Sequence, residues 1–146
     1  VQFIWQTGKF YHQQILDSMK GKEFLNLKIM DFISDMGAAY KAADLVISRA
    51  GASSISEFQL IGKPVILVPS PNVAEDHQTK NAMALVNKDA ALCVKDVDAP
   101  NSLIKLALET IGNDEKLTSL SENVKKMGLR NSAEIIADEV IKLIKG

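Results

Sequence analysis

Cysteine is almost absent from this sequence. Cys93 is the single cysteine among 146 residues, so no disulfide forms within the chain. A chain of this kind fits a reducing, cytoplasmic compartment. Cys93 lies in the apolar run 90–94 with no histidine near it in the sequence, whereas a catalytic thiol needs a neighbour that favours the thiolate. We therefore expect a buried structural thiol.

Neither sign of charge is in excess, and aromatic residues are scarce. Lys and Arg total 17 against 18 Asp and Glu, which gives a net charge of -1, and aromatic residues make up 5%. Nucleic-acid-binding domains typically carry a basic patch or stripe. No basic stripe with interleaved aromatics is present here, so we expect no nucleic-acid partner.

Long apolar runs are also lacking. No run approaches the roughly 20 residues of a membrane-spanning helix, and no signal peptide is recognisable. The first five residues, VQFIW, read directly as a strand without Met or a leader. We therefore expect residues 1–146 to be a single truncated domain from a longer protein.

Strand and helix patterns alternate up to residue 94, and only helical patterns follow. This alternation predicts an α/β fold with a parallel sheet and helices on both faces, which binds ligands beyond the carboxyl ends of its strands. The last helix is expected to bury Ile136, Val140 and Leu143 or Ile144. Strands are predicted at 1–5, 27–33, 44–48, 65–68 and 91–94, and helices at 11–20, 36–43, 54–60 and 77–86, with three more capped by Asn101, by Asn113 or Asp114, and by Ser132.

The most informative segment follows the predicted strand 44–48. Its small-residue turn and helix start comprise Gly51, Ala52, Ser53, Ser54, Ile55, Ser56 and Glu57. One interpretation is a phosphate site, because N–H groups at a helix start are free and the helix dipole adds positive charge there. The alternative is structural: Ser54-Ile-Ser-Glu57 also fits a capping box.

A second polar segment opens the predicted helix 77–86. His77 and Asn81 lie four residues apart and share a face, with Gln78 beside them. The structural alternative is a solvated helix start capped by Asp76. A metal site is not expected, because His77 has no second histidine at helical spacing and His12 is remote.

Two further hydrophobic residues lie at the end of the predicted second strand. Phe32 and Ile33 offer an aromatic face and a backbone N–H and C=O to a flat base. The alternative is that both are ordinary core residues, as Met36 is by default.

Together these stretches resemble the MurG family of peptidoglycan glycosyltransferases, over nearly the whole chain. The resemblance rests on the spacing of several motifs, which is more specific than any one of them. These motifs are Ile4-Trp-Gln-Thr-Gly8, Phe32-Ile-Ser-Asp-Met36, Ala42-Ala-Asp-Leu-Val46, Ser48-Arg-Ala-Gly-Ala52, Ser56-Glu57, Gly62-Lys-Pro64 and Asp76-His-Gln-Thr-Lys-Asn-Ala82.

The resemblance implies most of the C-terminal, donor-binding half of a GT-B enzyme. Such enzymes transfer N-acetylglucosamine from UDP-N-acetylglucosamine to an undecaprenyl-pyrophosphoryl-muramyl-pentapeptide lipid, peripherally at the cytoplasmic face of the inner membrane. By that resemblance, uracil would contact Phe32 and the backbone of Ile33, with Met36 nearby. The diphosphate and sugar would meet 52–54, and Glu57 would hold the ribose hydroxyls. Gln78, with His77 and Asn81, would read the sugar hydroxyls.

No metal cofactor is implied by the resemblance, and no catalytic residue is assigned to this chain. The acceptor site and the base would lie in the N-terminal half, and a first strand with a glycine-serine loop would precede Val1. Without that strand we expect unpaired strand edges, self-association and a fragment that is inactive alone. Ser34 and Asp89 also depart from the family, which often has an acid and a glycine there.

Two other functions stay open at this point. One is a non-enzymatic nucleotide-binding or interaction module. The other is the donor domain of a related transferase that forms a glycolipid.

Overall fold

The computed structural model describes residues 1–71 and 76–145, and within them strands and helices alternate as the sequence predicts. Two compact units divide the chain, Val1–Ala43 and Asp44–Gly146. The strands are β1 (Phe3–Gln6), β2 (Leu27–Met30), β3 (Val46–Ser48), β4 (Val65–Leu67) and β5 (Leu92–Cys93). The helices are α1 (Lys9–Ser18), α2 (Met36–Ala42), α3 (Ala52–Ile61), α4 (His77–Val86), α5 (Ala99–Ile111), α6 (Asp114–Lys126) and α7 (Ser132–Lys145).

The N-terminal unit is built on a parallel pair of strands. β1 and β2 pair in register from Phe3 with Leu27 to Gln6 with Met30. β2 ends at Met30, three residues before its predicted end, because the amides that follow bond to side chains instead of to a strand. Either Ser34 or Asp35 could cap α2 by sequence, and the structure shows Asp35 at the cap, with its Oδ1 accepting a hydrogen bond of 2.8 Å from the N–H of Ala38.

The C-terminal unit contains a second parallel sheet, in the order β3-β4-β5. The central strand β4 is fully buried, and Ile66 packs in a cluster with Val94 and Ala107 of α5. Val65 and Leu67 point to the opposite face and are equally buried. Both faces of β4 are therefore covered, which is typical of a strand within a parallel sheet. The described strands thus form two parallel sheets, where the alternating pattern suggested one.

Helices α3 and α6 pack closely on one another. Gly62 ends α3 in the left-handed conformation, with φ 69°, which glycine adopts readily. The hydroxyl of Ser121 on α6 donates to the Gly62 carbonyl at 2.6 Å. Gly128 lies two residues after the end of α6, against the backbone of Gln59. The glycines near the ends of these two helices therefore also allow the helices to pack closely.

Two predictions about the later helices are wrong. α5 begins at Ala99, so Asn101 lies inside the helix. Pro100 occupies the first turn, where its missing N–H has no partner to lose. On α7, Ile136, Val140, Leu143 and Ile144 are 50–84% exposed. An apolar stripe predicts burial only where another element covers it, and within the described part of the chain nothing covers this one.

Candidate functional site

Two loops leave the carboxyl edge of the three-stranded sheet and lead into helices. The first runs from the end of β3 at Ser48 to α3, and the second from the end of β4 at Leu67 to α4. In parallel α/β sheets this edge is where ligands bind. Nearly all predicted site residues of the C-terminal unit lie in or just beyond these loops.

The N-terminus of α3 is open. Gly51 is the N-cap residue in an extended conformation, and no side chain from the described residues caps the helix. The first intrahelical bond runs from the N–H of Ile55 to the Gly51 carbonyl, at 3.0 Å. The N–H groups of Ala52, Ser53 and Ser54 precede that bond, so they have no carbonyl partner within the helix.

The capping-box alternative for this segment is wrong. Ser54 is the third residue of α3, whereas a capping box needs a serine at the N-cap position. The helix begins earlier, with Gly51, a residue favoured at N-caps, at the N-cap position. Ser56 instead bonds through its hydroxyl to the carbonyl of Ala52, at 3.1 Å. The phosphate-site interpretation of this turn stays a prediction.

The faces of α3 separate anchoring residues from exposed ones. Ile55 is 7% exposed and Phe58 is 1% exposed, so both side chains fix the helix to the core. Ser53 and Glu57, four residues apart, are exposed on one face. Glu57 therefore lies about one turn beyond the open N–H groups.

Gln78 ties the two loops to α4. Its Oε1 accepts from the N–H of Ala50 at 3.2 Å and from the N–H of Ser70 at 2.9 Å. Asn81 Nδ2 donates to the Ala50 carbonyl at 3.2 Å. Ala50 is fully buried, so these two side chains satisfy both of its polar backbone groups. Gln78 and Asn81 thus meet at the same residue, and their predicted contact with sugar hydroxyls stays a prediction.

The start of α4 differs from the capped helix considered above. Asp76 occupies the N-cap position in the left-handed conformation, with φ 56°, and its side chain caps nothing in the described chain. His77 is the first residue of α4 and is exposed. The Asp76-cap alternative is therefore wrong.

Arg49 is a residue of this edge that the sequence reasoning missed. Its Nη1 donates to the carbonyl of Val68 at 3.2 Å and lies against the Asp96 carboxylate. Asp96 belongs to a short 3-10 turn, Asp96–Asp98, after β5. Arg49 thus connects the ends of all three strands. The available signal was an arginine directly after one predicted strand and an acid two residues after another.

The remaining predicted residues lie in the N-terminal unit. Phe32 is 60% exposed, whereas Ile33 and Met36 are half-buried. The N–H of Ile33 donates to Gln6 Oε1 at 2.8 Å, and that of Phe32 donates to Asp31 Oδ1 at 2.8 Å. Both N–H groups are thus engaged by side chains, so the expectation that this backbone offers an N–H to a flat base is not met here. A nucleobase contact through the Phe32 ring, the Ile33 carbonyl and Met36 stays a prediction.

The thiol of Cys93 is not activated as a nucleophile. Cys93 is half-buried, and burial raises the pKa of its thiol, so the protonated, weakly nucleophilic form dominates at neutral pH.

Within 1–71 and 76–145, no group of three or more His, Cys, Asp or Glu side chains is placed to share a metal ion. Of the helices in the described chain, none is both long and apolar enough to cross a membrane.

A family model decides the relationship of this chain to known proteins. The model for the glycosyltransferase family 28 C-terminal domain matches residues 1–136. The chain belongs to this family. The predicted resemblance and the glycosyltransferase class are thereby confirmed.

Relatives of this family 28 domain agree with the assignment. A Bacteroides fragilis protein named UDP-N-acetylglucosamine--N-acetylmuramyl-(pentapeptide) pyrophosphoryl-undecaprenol N-acetylglucosamine transferase is 68% identical over 144 residues, which are 98% of this chain and 38% of that protein. A Bacteroides thetaiotaomicron protein of the same name is 62% identical over 144 residues, 98% of this chain and 39% of its own. The chain thus spans about two fifths of the length of these curated relatives.

The fold also matches a solved structure. The crystal structure of Acinetobacter baumannii MurG superposes with a TM-score of 0.82 at 28% identity, covering 95% of this chain and 42% of that one. The α/β class with parallel strands, and the likeness to MurG, are therefore confirmed for the family 28 domain.

Proposed function

We propose that this domain binds the UDP-N-acetylglucosamine donor of a transferase that makes the lipid-linked disaccharide of peptidoglycan. The acceptor is the undecaprenyl-pyrophosphoryl-muramyl-pentapeptide lipid. Support comes from the names of relatives that are 62–68% identical over nearly the whole chain. The family match over residues 1–136, to the C-terminal domain of family 28 glycosyltransferases, is consistent with donor binding.

The observation that carries the proposal is the open N-terminus of α3. Three consecutive N–H groups, of Ala52, Ser53 and Ser54, precede the first intrahelical bond, and Gly51 leaves the backbone approachable. The ten-residue helix adds partial positive charge at that end. A diphosphate is the ligand whose charge and acceptor oxygens suit such a site.

The hydroxyl groups of the donor have fitting partners nearby in the chain. Glu57 offers a carboxylate to the ribose diol. Gln78 uses its Oε1 on Ala50 and Ser70, which leaves its amide nitrogen as a donor. Asn81 uses its nitrogen on Ala50, which leaves its oxygen as an acceptor. We assign these two groups, with His77, to the hydroxyls of the sugar.

The nucleobase is assigned to the N-terminal unit. The exposed ring of Phe32 suits stacking on a flat base, with the backbone of Ile33 and the side chain of Met36 beside it. This assignment follows the family resemblance.

The proposed reaction is an inverting displacement. A hydroxyl oxygen of the acceptor attacks the anomeric carbon, the bond from that carbon to the phosphate oxygen breaks, and UDP leaves with the electron pair. The hydroxyl proton passes to a base in the N-terminal half. The N–H groups of α3 stabilise the negative charge that develops on the departing diphosphate, so no metal is required. This chain supplies donor binding and no catalytic base.

The setting of this reaction is also part of the proposal. A lipid-linked acceptor requires the intact enzyme to work at a membrane surface, and we assign it to the cytoplasmic face of the inner membrane. Its product feeds cell-wall synthesis and, through it, cell shape and division.

A transfer assay with the full-length protein tests the proposal. We expect N-acetylglucosamine to pass from UDP-N-acetylglucosamine to the muramyl-pentapeptide lipid, and the isolated 146-residue chain to transfer none. Transfer to a different glycolipid acceptor only would support the related transferase instead. No transfer, together with equal binding of UDP and ADP, would indicate a non-enzymatic binding module.

A further inference from the structure

Residues at the end of β1 form hydrogen bonds that hold the segment following β2. Gln6 is the last residue of β1, and its Oε1 accepts from the N–H of Ile33 at 2.8 Å. The next residue, Thr7, donates its N–H to the carbonyl of Met30 at 2.9 Å. The backbone is therefore fixed at both ends of the three residues that carry the chain out of β2.

Both amides beside the Phe32 ring are engaged by side chains. The N–H of Phe32 donates to Asp31 and that of Ile33 donates to Gln6, while the ring itself is 60% exposed. An exposed ring on a fixed backbone is preorganised for stacking, since less conformational freedom is lost when a ligand binds. Of these two bonds, only that of Gln6 comes from outside the segment.

We propose that Gln6 is a positioning residue for the nucleobase. It acts through Ile33, by holding the backbone that presents Phe32, and does not itself contact the base. The inference rests on the proposed function, which assigns the base to Phe32 and Ile33. It adds a residue of β1 to the determinants of donor affinity.

Two substitutions separate holding the backbone from contacting the ligand. In Gln6→Leu the Ile33 N–H loses its acceptor. In Gln6→Glu a carboxylate oxygen still accepts that N–H, while the amide nitrogen, the group of Gln6 that is left for a ligand, is gone. Gln13→Leu is the matched control, because Gln13 is exposed on α1 and bonds only to the exposed Asp17, at 3.2 Å.

The experiment measures KM and kcat for UDP-N-acetylglucosamine, and calorimetric UDP binding, in the full-length transferase. For Gln6→Leu we expect a rise in KM and in the Kd for UDP of about tenfold, the scale of one lost hydrogen bond, with kcat nearly unchanged. Gln6→Glu is expected to restore both constants to within about threefold of the wild type, since its carboxylate still accepts the N–H. Gln13→Leu is expected to match the wild type.

Four other results would contradict the positioning role of Gln6. Wild-type constants in Gln6→Leu would overturn the inference, and tighter UDP binding there would show that Gln6 competes with the base. Failure of Gln6→Glu to restore affinity would show that the amide nitrogen contacts the ligand. If Gln6→Leu lowered kcat and thermal stability but left KM unchanged, the role of Gln6 would be purely structural. If the wild-type protein does not bind UDP, the proposed function fails and the inference fails with it.

Discussion

At the residue scale, Gly128 shows how close the backbones of α3 and α6 approach. A β-carbon at this position would lie 2.7 Å from the carbonyl oxygen of Gln59 and 3.1 Å from its carbonyl carbon. These are backbone atoms of a helix, so they cannot rotate away as a side chain would. Only glycine allows the contact without moving one helix.

Replacing that glycine is expected to destabilise the chain. Gly128→Ala should lower the free energy of unfolding by about 1–3 kcal/mol, the usual cost of overpacking, measured by urea denaturation. Gly112→Ala is the control, because Gly112 has φ -83° and a β-carbon there would lie 3.4 Å from the Leu108 oxygen, an ordinary contact. Its expected change is within about 0.5 kcal/mol. Equal stability of the two variants would contradict the packing account.

Asp89 has a left-handed backbone conformation although it is not a glycine. The family resemblance implies glycine there, and Asp89 has φ 50°, a conformation that favours glycine. The positive φ at this position is thus present although the residue is aspartate and not glycine. Sequence alone identified the departure, and the dihedral angle explains why glycine is usual.

At the scale of elements, α4 holds the edge of the sheet together through two amide side chains. Gln78 accepts from Ala50 and Ser70, which lie on different loops, and Asn81 donates to the Ala50 carbonyl. The predicted binding residues therefore also shape the site that they line. A loss of either side chain disturbs both roles.

Gln78→Ala tests the structural role separately. It leaves the buried N–H of Ala50 without an acceptor, so we expect a loss of about 1–3 kcal/mol in unfolding free energy and faster hydrogen exchange at that amide. Gln78→Glu keeps an oxygen for both N–H groups and serves as the control, with most of the stability retained. Protection of the Ala50 amide in Gln78→Ala equal to that of the wild type would refute this role.

Elements whose signals are local were predictable from the sequence. Asp35 caps α2 and Gly62 ends α3 because each acts on residues three or four positions away. The contact between Arg49 and Asp96 was not predictable, since the two residues are 47 positions apart and meet only after three strands align. The Ser54 to Glu57 capping box failed because the same residues fit inside a helix that begins earlier.

At the scale of the whole molecule, the strands belong to two sheets, of two and three strands. Strand periodicity predicted each strand but could not tell which strands hydrogen-bond, because pairing depends on contacts between distant segments. In the described chain, β1 and β2 each have one strand partner only. Ile4 and Trp5 of β1 are 54% and 41% exposed. Exposed edges of this kind favour pairing with another chain.

The isolated 146-residue chain is therefore expected to self-associate. Sedimentation velocity should show a concentration-dependent shift from monomer to larger species. Ile4→Lys should reduce the shift, since a charged side chain on an edge strand disfavours pairing. Leu143→Lys, on the exposed stripe of α7, is the control and should leave it unchanged. A monomer at all concentrations would contradict the expectation, and a response to Leu143→Lys alone would assign association to α7.

The central claim is that this chain holds a UDP-sugar donor, and calorimetry on the full-length protein tests it most directly. We expect saturable 1:1 binding of UDP-N-acetylglucosamine and binding of an ADP-sugar weaker by at least about tenfold. Glu57→Ala should weaken binding of the UDP-sugar, whereas the exposed Glu122→Ala should not. Equal affinity for the UDP- and ADP-sugars, unaffected by Glu57→Ala, would contradict the account.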